Sequence, residues 1–268
     1  MKTSIQVYND LKQKVSFLYQ RLKLNRREAL TGRPLKVPIP DILALGIFKQ
    51  TQQIATKKSL FQIFRPDGSY ERFVANLNRF ARLAMIVLAL LLNRNREHAH
   101  PVKHIDSTDI PVSTLRKAAR HRTMQGLAQW GKTGKGWFYG LKLHISTDLE
   151  RRILSVRFSR GNVDDRRVVM KLNQGLFGIF VADAGYISEK LAQEFHREHR
   201  RILFAKPRAN MKKLMTEFES YLYGTRMKIE LSFRNLKMFF GIVTSLPRSV
   251  NGYLAHYTYS LLASLITA

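Results

Sequence analysis

The stretch LFGIFVAD, Leu176 to Asp183, decides the fold. It is apolar through Ala182, rich in aromatic and β-branched residues, and closed by an aspartate and an Ala184-Gly185 turn. Without polar alternation neither face is free to meet water, so it reads as a strand buried on both sides. Upstream, Gly161 and Asn162 turn the chain and Asp164 to Gln174 reads as a helix. Further back, Val102 to Val112, Trp137 to Thr147 and Arg152 to Arg160 carry the β-branched and aromatic content of strands. Downstream come a helix from Ser188 to about Arg200 and a strand from Ile202 to Pro207. Three hairpin-like strands followed by alternating helices and strands make a mixed, five-stranded α/β sheet.

The first 98 residues have a different texture. Val7, Leu11, Val15 and Leu18 recur at helical spacing, and Arg21, Lys23, Arg26 and Arg27 follow. Thr31-Gly32-Arg33-Pro34 and Pro38-Ile39-Pro40 break the chain, after which Asp41 is placed to cap a helix from Ile42 to about Ala55. Helices over Lys57 to Phe64 and Tyr70 to Leu92 flank the turn Arg65-Pro66-Asp67-Gly68. The division expected is therefore a helical, basic domain over 1–98, suited to DNA binding, and an α/β domain over 99–268. The helical pattern fits a helix-turn-helix and other small helical domains alike.

Lysine and arginine number 46 against 19 acids, a net charge of +27. A field of that sign recruits polyanions, nucleic acid foremost. The apolar runs Leu83 to Leu92 and Leu261 to Ile266 are too short to span a bilayer, so no membrane is expected. The opening MKTSIQVYNDLKQKV lacks the apolar core of a signal peptide, which points to the cytoplasm. Cysteine is absent, excluding disulfides and thiolate metal sites; a metal would need oxygen or imidazole ligands. Between the first two strands lies a basic segment from Arg116 to Gly136, containing Arg116, Lys117, Arg120, Arg122, Lys132 and Lys135. It can follow a phosphate backbone or remain a solvated arm. Trp130 and Trp137 flank its glycines, able to stack on a base or to anchor the loop.

A third region concentrates polar chemistry: YGTRMKIELSFRNLK, Tyr223 to Lys237. At about 100° per residue, Arg226, Glu230 and Lys237 fall about 300°, 340° and 320° round from Tyr223, one stripe roughly 60° wide. Ile229, Phe233, Leu236 and Phe240 form a separate apolar stripe. Gly224 can place Tyr223 on the turn entering the helix. Alone, this pattern is also that of a salt-bridged, solvated face. Two strand carboxylates change the weighing. Asp106 lies inside the first strand and Asp183 ends the apolar run, positions costly for an unpaired charge. With Glu230 they supply three hard oxygen ligands of the kind magnesium takes. Asp109 competes with Asp106 but reads as a turn or strand-end residue; Asp164 and Asp165 read as helix caps, and His104 and His144 as satisfied sheet histidines or partners of the carboxylates.

These residues resemble the DDE transposases of bacterial insertion sequences, in the retroviral-integrase superfamily. The resemblance rests on HIDSTDIPV around Asp106, FYGLKLH, GNVDD, VADAGY around Asp183, and Tyr223, Arg226, Glu230 and Lys237 with two, three and six residues between them. The 47-residue step from Asp183 to Glu230 and the FYGLK stretch look most like the insertion-sequence 982 group. The resemblance implies an RNase H-like catalytic fold. It further implies that Asp106, Asp183 and Glu230 hold two magnesium ions, with manganese as a substitute, and that Tyr223, Arg226 and Lys237 hold DNA phosphates. The implied reaction is cleavage of element ends and their joining to target DNA, carried out on double-stranded DNA by a homodimer or higher oligomer. A metal-dependent nuclease of the same fold and a catalytically inactive DNA-binding regulator are the rival readings.

Overall fold

The computed structural model describes residues 3–27, 34–197, 201–207, 211 and 214–267. The expected break at Thr31-Gly32-Arg33 and the end of the helix expected to reach Arg200 lie outside these residues. The chain forms two compact units. One comprises 1–91 together with 235–268, the other 92–234.

The first unit is helical. Helix α1 (Ser4–Arg21) starts from a reciprocal capping box between Thr3 and Gln6 and buries Leu11 and Val15. Helix α2 (Ile39–Thr51) begins three residues before the start expected at Ile42. Asp41 sits in its first turn without capping it, and instead accepts from Lys12 Nζ at 2.8 Å. Nearly every residue of α2 from Ile42 to Gln50 is buried, as fits a helix packed on all sides. Helix α3 (Lys57–Phe64) is capped by Thr56, whose Oγ1 accepts from Ser59 N at 2.9 Å. Helix α4 (Tyr70–Glu97) outruns the expected end at Leu92, so the apolar run judged too short for a membrane belongs to a 28-residue helix. Its most apolar window has a mean hydropathy of 1.5, enough in length and composition for a span. Yet Phe73, Leu77, Phe80, Leu83, Ala84 and Val87 are buried in the helical core.

The last helix of the chain, α9 (Val250–Thr267), joins the same core through Ala255, Tyr259, Leu262 and Ala263. The compact units thus divide the chain differently from the expected boundary at residue 98, with 235–268 grouped with 1–91. The reason is apolar matching, since α9 is buried on most of its circumference and α2 offers it a continuous hydrophobic face.

The second unit is a mixed sheet with helices. Its strands are β1 (Val102–Pro111), β2 (Gln129–Thr133), β3 (Gly136–Asp148), β4 (Ile153–Arg160), β5 (Gly178–Ala182) and β6 (Arg201–Ala205). The order is β2-β3-β1-β5-β6, with β4 also on β3, so six strands stand where five were expected. The additional one, β2, lies in the basic segment read as a loop. It pairs antiparallel with residues 136–140 of β3, while β4 takes residues 141–147 of the same strand. Gly140 makes this junction possible: a Cβ there would stand 2.2 Å from Ile110 O of β1. Short helices α5 (Arg166–Leu172) and α6 (Glu189–Arg197) cover the sheet, burying Val169, Leu172, Leu191 and Phe195 with Ile105, Leu154 and Phe180. Helices α7 (Glu217–Gly224) and α8 (Met227–Met238) follow β6.

Candidate active site

The strand β1 lies between antiparallel β3 and parallel β5, with His104 opposite Val181. Two residues further along each chain come Asp106, within β1, and Asp183, the residue after β5, and the charge of Asp183 acts on Asp106. Crossing from the pleat alternation, Asp109 falls on the opposite side of β1 from Asp106, so the competing aspartate cannot share this face. Asp183 ends its strand with φ −74° and ψ 166°, and its Oδ1 accepts from Ala184 N at 2.7 Å.

The stretch carrying the third carboxylate is two helices, not one. Tyr223 belongs to α7 and Glu230 to α8, with Thr225 and Arg226 between them. The common stripe therefore fails for Tyr223, as Gly224 allows. The junction is pinned from the sheet: Thr225 Oγ1 donates to Leu222 O at 2.6 Å and stands 2.8 Å from His104 Nε2. Which atom donates in the contact to His104 depends on the tautomer of the ring. Burial holds His104 neutral, lowering its pKa to about 4. His104 thus orients the turn that bears Arg226.

From that turn Arg226 reaches two carboxylates. Its Nη2 lies 2.6 Å from Asp106 Oδ2 and its Nη1 2.8 Å from Glu230 Oε1. The arginine and Asp106 side chains are only 11% and 17% exposed, whereas Glu230 is 58% exposed, so the first contact is the electrostatically costly one to break. Burial pushes the Asp106 carboxyl up to about 6; Arg226 and the Ser107 amide oppose that shift, and the charges of Asp183 and Asp165 add to it. Burial works against the Arg226 charge, but Asp106, Asp183, Tyr223 and Glu230 outweigh it and raise the guanidinium pKa. Among the described residues no three of Asp, Glu and His gather as a metal-holding cluster. The guanidinium stands where Asp106 and Glu230 face each other. One delocalised cation is already shared by two carboxylates from different elements, and a third acts on it. That donor chemistry suits a hard cation.

A fourth carboxylate was missed as a site residue. Asp165 was expected to cap α5, but its side chain makes no cap hydrogen bond. It accepts from Ser107 Oγ at 2.9 Å and pairs with Lys142 Nζ at 2.9 Å. Asp164 is the residue engaged locally, accepting from Arg166 N at 2.9 Å. The doubled aspartate after Asn162 was the available signal, together with Lys142 in FYGLK. His144 is buried, with Nε2 2.7 Å from Ser159 Oγ, and burial lowers its pKa to about 4; it is a satisfied sheet histidine. Tyr186, from VADAGY, is buried, and its pKa rises well above the usual value through burial and then the charges of Asp106 and Asp165.

The basic segment is folded. Leu115–Arg120 is a 3-10 helix, and Ala118, Met124 and Ala128 anchor the segment by burial. Arg116, Lys117, Arg120, Arg122, Lys132 and Lys135 are all exposed. Trp130 and Trp137 are exposed as well, at 42% and 59%, so they do not anchor the hairpin in the core. Lys132 Nζ lies 5.8 Å from the Trp137 ring centre. Lys206, absent from the expected set, lies 4.8 Å over the Tyr223 ring. Lys237 is on the last turn of α8, beyond residue 234, where the α/β unit ends.

No curated protein matches the chain in sequence. The chain is similar in structure to a cryo-EM structure of piggyBac transposase in a synaptic complex with hairpin DNA, at 11% identity and a TM-score of 0.52. That match covers 99% of this chain and 74% of the other and speaks to fold alone. A crystal structure of the Mos1 mariner paired end complex with Mn also matches, at 12% identity over 98% of this chain and 93% of that one; its TM-score of 0.27 carries no argument. The sequence over residues 96–250 matches the family described as Transposase DDE domain. That span is more than half of the chain and contains Asp106, Asp165, Asp183, Arg226 and Glu230: the chain belongs to the DDE-domain transposase family.

Proposed function

We propose that the chain is a magnesium-dependent DNA transposase of the insertion-sequence type, nearest the 982 group, with an RNase H-like catalytic unit. Asp106, Asp183 and Glu230 would hold the divalent ions, two in number, with manganese as a substitute. The observation that carries this reading is the pair of ion contacts through which Arg226 joins Asp106 on the central strand to Glu230 on α8. A bound divalent ion supplies Lewis acidity for in-line phosphodiester displacement. In the first displacement a water oxygen attacks the phosphorus at an element end and releases a 3′ hydroxyl. In the second that hydroxyl attacks a phosphodiester of target DNA, forming a new phosphodiester as the target's own 3′ oxygen leaves and is protonated to a hydroxyl. Arg226, moving off Asp106, offers a planar fork to a phosphate, and Lys237 and the exposed cations of the basic segment add point charges along the duplex. Tyr223 holds the backbone beside them. Asp165 and Lys142 brace β1 through Ser107 and keep the Asp106 backbone in place.

The reading is tested by comparing cleavage and binding on element-end DNA. Asp106→Ala, Asp183→Ala and Glu230→Ala are each expected to abolish cleavage in magnesium while retaining DNA binding. Substantial cleavage by Asp106→Ala overturns the ligand assignment. Wild-type cleavage without joining to a target duplex overturns transposase in favour of nuclease. Binding should weaken steeply with salt as counterions are released from neutralised phosphates.

A further inference from the structure

The helical unit contains a cavity of about 460 Å³ whose lining includes Lys49, Lys57, Lys58 and Arg248 and no carboxylate. The volume lies in the range of small-ligand sites. Lys49, on α2, is 8% exposed, and among the described residues its ammonium has neither a hydrogen bond nor an ion pair. An ammonium at the wall of a cavity, with little access to bulk water and no internal partner, carries a desolvation cost. Lys57 adds a second cation, its Nζ donating to Asn78 Oδ1 at 2.5 Å. Burial lowers the pKa of Lys49 to about 8, and burial followed by the charge of Lys49 lowers that of Lys57 to about 8. Both groups thus carry a cost that a bound anion would relieve.

Backbone polarity adds to the side chains. The cavity is lined by Ala55, Thr56 and the first residues of α3. Thr56 Oγ1 takes the Ser59 amide, leaving the earlier amides of that turn without helical partners. His256 contributes a wall rather than a charge. Its Nε2 lies 2.7 Å from Gly241 O and its Nδ1 3.0 Å from Gln50 Nε2, so both ring nitrogens are committed, and burial holds its pKa at about 4. Tyr70 and Pro247 give the remaining wall an apolar side.

We infer that this cavity is a phosphate-binding site, in which Lys49, Lys57 and the first turn of α3 hold the phosphate of a phosphate ester and Arg248 closes its rim. The site is separate from the carboxylates and does not depend on the catalytic reading. A phosphate on a DNA strand and one on a small molecule share this chemistry.

Calorimetric titration of the full chain with inorganic phosphate tests it, followed by titration with a short single-stranded oligonucleotide. Wild-type protein should bind inorganic phosphate, with affinity falling at least about tenfold in Lys49→Met, as expected for loss of one charge-assisted contact. Arg248→Gln, an exposed rim change, should weaken binding less and guards against a misfolded core variant. Parallel loss of oligonucleotide affinity in both variants assigns the phosphate to a DNA strand; unchanged oligonucleotide affinity assigns it to a small phosphate ester. Absence of phosphate binding by the wild type, or equal binding by wild type and both variants, overturns the proposal.

Discussion

The two units treat buried charge in opposite ways. In the α/β unit the chain places a carboxylate, Asp106, at 17% exposure and supplies its own counter-ion, Arg226, at 2.6 Å. In the helical unit it places a lysine, Lys49, that is 8% exposed as a residue and lines a cavity, and supplies no counter-ion among the described residues. A charge that the protein neutralises internally can be kept safely until a substrate displaces the partner. A charge left unneutralised holds the fold below its attainable stability unless something binds. The first arrangement behaves as a latch, the second as a vacancy for an anion, and the two respond differently to substitution, pH and added ions.

Phe233→Ala sets the scale, because it removes packing and no charge. Phe233 is 7% exposed, and its truncation should cost about 3–5 kcal/mol, read as a lowered denaturation midpoint insensitive to magnesium. Arg226→Gln should come next, with a loss of about 2–3 kcal/mol near pH 8 from leaving Asp106 ionised without its partner. The sign follows from Asp106, whose folded pKa is about 6 against an ordinary 3.8. The folded form holds its proton more tightly than the unfolded form, so stability falls as pH rises from about 4 to about 6 and then levels. Removing Arg226 deepens that fall and extends it upward, so the variant should approach wild type near pH 4. Millimolar magnesium or manganese should restore its melting temperature near pH 8; a variant indifferent to both metals would reduce the site to an ordinary ion pair.

Lys49→Met should act in the reverse direction, raising stability near pH 7 by on the order of 2 kcal/mol. Lys49 has a folded pKa of about 8 against 10.5, so the unfolded chain binds its proton more tightly and wild-type stability rises between about pH 8 and 10.5. The variant should lose that rise, a difference visible in melting curves across this range. A destabilised Lys49→Met protein would mean that the lysine is satisfied and the contrast between the units is false. Lys237→Ala should have the smallest thermal effect, about 0–1 kcal/mol, while lowering element-end cleavage. Normal cleavage by that variant would remove Lys237 from the DNA-contacting set.

The contrast also marks what was legible in the sequence. The five expected strands stood out because each is apolar or β-branched over most of its length, and β2 did not because Gln129, Gly131 and Lys132 give a short edge strand no hydrophobic pattern. Its place depends on Gly131, Gly140 and Gly161 meeting without side chains, a three-body fit that periodicity does not express. Asp106 and Asp183 stood out as charges in expensive places, and Glu230 as one member of a polar helix stripe. Asp165 was not, since Asp before a helix is ordinarily a cap, and only the Ser107 and Lys142 contacts across the sheet reveal its other use. Arg226 as a bridge was likewise invisible: the single-helix construction set it beside Glu230 but gave no sign of Asp106. The Lys49 cavity left no motif, because its cations are brought together from residues 49, 57, 58 and 248.

The helical unit is assembled from two segments far apart in the sequence, 1–91 and 235–268, with α2 packed against α9. On a ribosome, therefore, residues 92–234 emerge as one continuous segment and can settle first, while the apolar face of α2 stays uncovered until α9 has been made. The contact that completes this core spans more than two hundred residues of sequence, which makes it slow to form. Nascent chains released before α9 would carry a complete α/β sheet beside an exposed hydrophobic helix, a ready target for chaperones and proteases.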